Sequence, residues 1–207
     1  ILGKVHFAGN ELLCDQRALI PRPETELLTE LVTDELGSSF KGKILDLGTG
    51  TAGIIITLCK NLPHAIGLGV DLSRDALSLA KENLAINGIK NLEIKSFDWN
   101  DDKLNETFDA IIANPPYLSE EEWISAEPEV KLFDPKMALV AKENGIADIK
   151  KIIKISEKHL HKSGLLALEI GANHGNVIAD MMSLSFYNIN IVKDYCRKNR
   201  FIMARKK

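Results

Sequence analysis

An apolar strand candidate, Lys43 to Leu47, runs directly into Gly48-Thr49-Gly50-Thr51-Ala52-Gly53, and this junction constrains the fold more than any other stretch of the chain. Glycines between a strand and a helix let the backbone turn tightly and approach a ligand closely. Gly53 to Asn61 then reads as a helix stopped before Pro63, and Ala65 to Val70 as a second strand ending at Asp71. Strand, helix, strand in this order implies parallel pairing through a crossover. An acidic residue where Asp71 stands can accept hydrogen bonds from ribose hydroxyls. Gly48, Gly50 and Gly53 also match the dinucleotide fingerprint letter for letter, so the loop alone leaves a dehydrogenase open.

The alternation continues. Ser73 caps a helix through Asn87 with Gly88 as its stop, and Leu92 to Phe97 and Phe108 to Ala113 are further strands. A loop carrying Glu120-Glu121-Glu122 follows, then a helix from Ile146 to Leu160 and a strand from Leu165 to Ile170 entered through Gly164. A helix over about Asn176 to Leu184 precedes two closing strands, Ile189 to Lys193 and Arg200 to Ala204, which imply an antiparallel edge. Upstream, Val5-His6-Phe7 and Leu12-Leu13 flank the turn formers Gly9-Asn10 as a hairpin. Pro21 and Pro23 fix an extended loop, after which Thr25 is expected to cap a helix reaching about Leu36. The expected organisation is an α/β doubly wound sheet with helices on both faces. Residues 1–36 form a hairpin and first helix that pack on a catalytic domain over residues 37–207.

Composition narrows the partners. A net charge of -3 gives the molecule no general attraction to nucleic acid or to an acidic membrane. No apolar run reaches the ~20 residues a membrane span needs. Cys14, Cys59 and Cys196 are too far apart for a Cys-x-x-Cys site, so reduced thiols in a cytoplasmic compartment are expected. No metal signature is present; His159 and His161 read as cationic residues near a helix C-terminus. The chain begins at Ile1 rather than methionine.

Two features beyond the glycine loop carry chemistry. Asp98-Trp99 follows the third strand of the alternating region, and a carboxylate beside an indole suits adenine. A buried Trp with a neighbouring turn Asp explains the same dipeptide equally well. Asn114-Pro115-Pro116-Tyr117 follows the next strand directly, at a carboxyl end, where open parallel sheets build their sites. A planar nitrogen is a poor nucleophile because its lone pair is delocalised. The Asn114 side-chain oxygen and the Pro115 carbonyl can accept its two N–H groups, and the diproline sets both acceptors in advance. Positioning of this kind can supply roughly 7–11 kcal/mol of barrier reduction. Tyr117 can stack on a flat target group and tolerate a nearby sulfonium. Hydride transfer has no evident use for this tetrad.

Asn114-Pro115-Pro116-Tyr117 resembles the motif of methyltransferases that act on planar nitrogens in adenine, guanine or glutamine. Leu19-Ile20-Pro21-Arg22-Pro23-Glu24-Thr25-Glu26 is very similar to a hallmark of the HemK/PrmC family, the release factor glutamine methyltransferases. Similarities continue through Asp46 to Thr51, Val70-Asp71-Leu72-Ser73, Asp98-Trp99, Asp134-Pro135 with Ala138-Leu139, and Leu168-Glu169-Ile170-Gly171, so they cover essentially the whole chain. The resemblance implies the class I methyltransferase (Rossmann-like) fold, a seven-stranded mostly parallel sheet whose last strand is antiparallel, preceded by the hairpin. It implies S-adenosyl-L-methionine as donor, S-adenosyl-L-homocysteine as product, and the glutamine of a Gly-Gly-Gln loop in a peptide chain release factor as acceptor. Cofactor contacts are expected from Gly48, Thr49, Gly50, Thr51, Ala52, Asp71, Asp98, Trp99 and Asn114. Asn114, Pro115, Pro116 and Tyr117 are expected to hold the substrate, with Asn114, Pro115 and Tyr117 catalytic. A cytoplasmic monomer without membrane or nucleic-acid partners is expected.

This sequence departs from the family's pattern at three places. Ala52 and His174 stand where the family has Gly and Gln, and the family's helical domain ahead of the hairpin is absent from this chain, which bears on substrate docking. The alternative is an amino-methyltransferase that flips a base of DNA or rRNA into the same pocket. The acidic Glu120-Glu121-Glu122 argues against it, and the basic tail Arg197, Lys198, Arg200, Arg205, Lys206 and Lys207 argues for it unless that tail is a solvated edge strand and a frayed end. A binding module that kept the fold without catalysis is the remaining reading, and the intact tetrad opposes it.

Overall fold

The computed structural model describes residues 3–101 and 104–207. Strands β1 (Lys4–Phe7) and β2 (Asn10–Leu13) pair antiparallel as a hairpin. Its turn is Ala8-Gly9, both at positive φ, so Asn10 belongs to the strand rather than to the turn. The Asn10 amide instead donates to the Phe7 and Ala8 carbonyls and to Thr57 Oγ1. Helix α1 (Pro23–Leu36) begins one turn earlier than Thr25 implied. Arg22 is its N-cap and Pro23 fills the first helical position, where a missing N–H costs nothing. Thr25 lies inside the first turn and its hydroxyl is free for other work.

Next come β3 (Lys43–Leu47), α2 (Gly53–Asn61), β4 (Ile66–Asp71), α3 (Arg74–Asn87), β5 (Leu92–Ser96) and β6 (Phe108–Ala113). Ser73 caps α3 by accepting from Ala76 N, and Gly88 closes it in the left-handed conformation, both as expected. The acidic segment expected to be a loop is instead α4 (Glu120–Ser125). Ser119 and Glu122 form a reciprocal capping box there, and three glutamates at a helix N-terminus complement its dipole. Then follow α5 (Pro128–Phe133), a 3-10 turn (Lys136–Ala138) and α6 (Lys142–Gly145), a single turn distorted by left-handed Glu143 and Asn144. The chain ends with α7 (Ala147–His159), β7 (Leu160–Glu169), α8 (Gly175–Met182), β8 (Phe186–Lys193) and β9 (Asn199–Lys206).

The seven strands β3 to β9 form one sheet in the order β5-β4-β3-β6-β7-β9-β8. Pairs from β5 across to β7 are parallel, and β9 runs antiparallel to both β7 and β8. The basic tail is therefore not an edge strand. β9 is inserted between two others, and Phe201 to Ala204 are buried. Its cations find partners: Arg205 pairs with Glu35, Lys206 Nζ donates to the Leu160 carbonyl, and Lys207 Nζ donates to the carbonyls of Ser183 and Leu184.

Alternate residues of the central strands feed two cores. Ile44, Ala110, Ile112, Leu165 and Ala167 face α1, α2 and the hairpin, while Leu45, Leu47, Ile111, Leu166 and Leu168 face α7 and α8. Both faces are covered, which is why these strands read as continuous apolar runs. Helix α2 is buried from Gly53 to Cys59 on every side because Phe7 and Leu12 of the hairpin close its outer face. His159 is buried against the Glu106 carbonyl (Nδ1 to O, 2.9 Å), whereas His161 is exposed.

Candidate active site

After β3 the chain crosses to β4 and β5 on one side, then returns to β6 on the other. Between β3 and β6 the neighbouring connections diverge, and ligands of open α/β sheets bind in that crevice. A cleft of about 280 Å³ opens there, near the lower bound of the ~300–1,000 Å³ typical of ligand pockets.

Its floor is the β3–α2 loop. Gly48 and Gly50 take positive φ, and the amides of Gly48 and Thr49 both donate to the Val70 carbonyl at 2.9 Å. Asp71, at the end of β4, accepts from Gly50 N through one oxygen and from Ser73 N through the other, each at 2.9 Å. Each oxygen keeps a lone pair for a further donor. Gly48, Thr49, Gly50, Thr51 and Asp71 all line the cleft. Ala52 does not. It is fully buried as the N-cap of α2 with φ 65° and ψ 18°, a left-handed conformation that costs a non-glycine residue about 1–2 kcal/mol.

Phe97 and Trp99 supply an aromatic wall. A Cβ added to Gly48 would stand 3.4 Å from the indole, an ordinary contact, so it is the positive φ of 75° rather than crowding that favours glycine there. Asp98 is not on that wall. Its Oδ1 accepts from Asn100 N and Nδ2, the turn role that sequence left open beside the adenine role.

The opposite rim combines the β6 turn with the N-terminal segment. Asn114 and Pro116 line the cleft; Pro115 is buried behind them, and Tyr117 lies off the lining, turned toward β7. Tyr117 Oη donates to Glu169 Oε1 at 3.1 Å and accepts from Arg200, whose guanidinium stands 5.8 Å from the ring centre. Burial raises the Tyr117 hydroxyl above its ordinary range. Asn114 Nδ2 donates to Thr25 Oγ1 at 3.1 Å, and Thr25 donates to Glu169 Oε2 at 2.7 Å. Glu169 is 1% exposed. Burial pushes its carboxyl up, opposed by the bonds from Thr25 and Tyr117 and by the charge of Arg200. Arg22 forms an ion pair with buried Asp134, which also accepts from Ile20 N, so the chain after α5 clamps the proline-rich segment.

Beneath the floor lies Asp46, fully buried. Oδ2 accepts from Thr49 Oγ1 at 2.6 Å, and Oδ1 has no hydrogen-bond partner. Burial pushes this carboxyl up to about 7, and the nearby Asp71 charge adds to that. Sequence reading placed none of Arg22, Asp46 and Glu169 in the site, and gave Thr25 only the role of a helix cap. One signal was available for Glu169: a carboxylate closing the otherwise apolar run Leu165 to Leu168 at a strand's carboxyl end.

The residues suit a nucleoside-bearing cofactor. A glycine floor gives close backbone approach, Asp71 offers free lone pairs for hydroxyl donors, and Phe97 with Trp99 gives a flat apolar face. Among the described residues no group of side chains could hold a metal ion, and no helix is long and apolar enough to cross a membrane.

Comparison with known proteins shows the family of this chain and its fold. Residues 23–128 match the family described as methyltransferase small domain. A release factor glutamine methyltransferase from Thermodesulfovibrio yellowstonii is 36% identical over 209 residues, which spans 100% of this chain and 75% of that relative. One from Streptococcus pneumoniae is 35% identical over 210 residues, covering 99% of this chain and 73% of the relative. Among solved structures, the hMettl16 catalytic domain bound to a MAT2A 3′UTR hairpin superposes with a TM-score of 0.72 at 16% identity, over 96% of this chain and 76% of that one. A 16S rRNA methyltransferase from Thermus thermophilus with AdoMet and guanosine gives 0.68 at 16% identity, over 99% and 50%. At those identities the structures speak to fold alone.

Proposed function

This chain belongs to the methyltransferase small-domain family and, within it, to the release factor glutamine methyltransferases, and from that membership we propose how its cleft does the chemistry. The enzyme methylates the side-chain amide nitrogen of the glutamine in the Gly-Gly-Gln loop of a peptide chain release factor. S-adenosyl-L-methionine is the donor, S-adenosyl-L-homocysteine the product. When bound, the cofactor supplies a methyl group on a sulfonium, open to displacement by a nucleophile.

The chain's residues do the rest. Gly48 to Thr51 would give backbone approach to the cofactor, Asp71 would accept from its ribose hydroxyls, and Phe97 with Trp99 would face its adenine; Asp98 serves their turn. Ala52 sets the start of α2 behind this floor. Asn114 Oδ1 and the Pro115 carbonyl accept the two N–H groups of the target amide, which holds the nitrogen's lone pair toward the methyl carbon. Pro116 stiffens the turn and Tyr117 braces it from behind. With the cofactor bound, the nitrogen so positioned would receive the sulfonium's methyl group, and the surplus proton would leave to solvent. Residues 1–36 act as the second wall of a site otherwise built by residues 37–207. The protein works as a cytoplasmic monomer.

One observation carries this reading: the glycine floor with Asp71 and the Asn114 turn open on the same cleft, one able to hold a donor and the other an amide acceptor. Radiolabelled methyl transfer tests it. The enzyme would be offered a purified release factor and, in parallel, its Gly-Gly-Ala variant, duplex DNA and ribosomal RNA. Label on the release factor that vanishes with the Gln→Ala change is the expected result. Label on nucleic acid alone would make it an amino-base methyltransferase instead.

A further inference from the structure

The hydroxyl of Thr25 makes two hydrogen bonds and owns one proton. Glu169 accepts from Tyr117 at its other oxygen and faces the Arg200 charge, which favour its charged, accept-only form against burial, so the 2.7 Å bond to Oε2 commits the Thr25 proton. The Thr25 lone pair can then receive only a donor, so the Asn114 atom that meets it at 3.1 Å is Nδ2 and not Oδ1. Glu169 is in turn held from its other side by Tyr117 Oη, with Arg200 behind the phenol. The five side chains come from four places, α1, the β6 turn, the end of β7 and β9, so only the folded sheet assembles them.

We propose that Thr25 and Glu169 are positioning residues that fix which end of the Asn114 amide faces the target, presenting oxygen to the cleft and nitrogen to the protein. An Asn amide is nearly symmetric in shape, so packing alone discriminates poorly between its two orientations. A flipped Asn114 would aim two donors at a substrate amide that itself offers two donors. The inference rests on the reading above that Asn114 Oδ1 accepts from the target nitrogen.

The test uses the full chain and three substitutions. Thr25→Val keeps the shape and removes the hydroxyl. Its kcat for methyl transfer to the release factor should fall by about 10²-fold, the scale of a misplaced catalytic group, with KM and cofactor Kd changed by less than about 3-fold. Thr25→Ser restores the hydroxyl and should recover most of the turnover. Glu169→Gln can donate to Thr25 and so frees its proton for Asn114 Oδ1; kcat should fall similarly. The double variant should be no worse than the weaker single one, since both break one chain of bonds. A Thr25→Val enzyme within about 3-fold of wild-type kcat, at unchanged melting temperature, would overturn the proposal, as would Thr25→Ser failing like Thr25→Val. A second readout does not depend on activity: the Asn114 side-chain amide resonance, identified by its loss in Asn114→Asp, should shift and exchange faster with solvent in Thr25→Val. An unchanged resonance would sink the positioning claim. A wild-type enzyme that labels no release factor would instead sink the functional reading, and the resonance would still decide the orientation.

Discussion

Asn114 and Asp46 show how differently two polar residues serve one cleft. Asn114 meets the cleft directly, and its amide nitrogen is already engaged by Thr25. Asn114→Ala should cut methyl transfer by at least about 10²-fold while cofactor Kd, read by calorimetry, changes only modestly. Near-wild-type turnover would remove Asn114 from the chemistry. Asp46 never meets solvent. It titrates at about 7 in the fold, against about 3.9 in an unfolded chain. Between those values the folded state holds the extra proton, so this group's contribution to stability falls as pH rises from about 4 to about 7, then levels. Asp46→Asn carries no such slope. The stability gap, variant minus wild type, should widen by roughly 2–4 kcal/mol from pH 4 to pH 8 in urea melts. Parallel pH dependence in the two proteins would assign the slope elsewhere. Neither the Asn114–Thr25 bond nor the Thr25–Glu169 bond is legible from sequence, because the two span 89 and 144 positions.

Elements that repeat a simple pattern were legible, and the segment between β6 and α7 was not. The helices α2 and α3 and the strands β3, β4 and β6 stand within a residue or two of where apolar runs, Ser73 and the glycines put them. The stretch from Glu120 to Gly145 is polar and broken by Pro128 and Pro135, so no apolar periodicity marks its short helices. They persist through local devices: the Ser119–Glu122 capping box, Lys136 over the Trp123 ring at 3.9 Å, and backbone bonds from Leu118 to Leu139 and from Ala141 to Leu118. Ser119→Ala removes the cap, worth about 1 kcal/mol. Because α4 buries no residue, amide exchange should accelerate over residues 120–125 while the global melting temperature stays put. A drop in global stability would mean that α4 belongs to the cooperative core.

Across the whole molecule the hairpin is tied to the glycine floor of the cleft. Phe7 and Leu12 lie in the same core cluster as α2, and buried Asn83 bridges the two. Its amide oxygen accepts from Leu13 N, and its nitrogen donates to the carbonyls of Leu13 and Thr51. The hairpin and α1 therefore share one core with the sheet, and Leu12→Ala should cost about 2–5 kcal/mol in a single unfolding transition, read by far-UV and near-UV circular dichroism together. An early separate transition would show the hairpin folding on its own. The tail makes the same point: its charges read as a solvated end, yet Phe201 to Ala204 drive β9 between β7 and β8.

The sequence by itself determined the alternating architecture, the glycine floor, Asp71 and the Asn114 turn, because each rests on residues close together in the chain. Periodicity, capping and turn chemistry are local, and local physics writes itself into contiguous letters. Tertiary structure alone decided that Thr25 links Asn114 to Glu169, that Asp46 is sealed beneath the floor, that Asp98 turns to Asn100 while Trp99 faces the cleft, and that the last strand is interior. Those outcomes depend on strand order and burial. A hydroxyl, a carboxylate or a charged tail carries no mark in sequence of what it will be packed against.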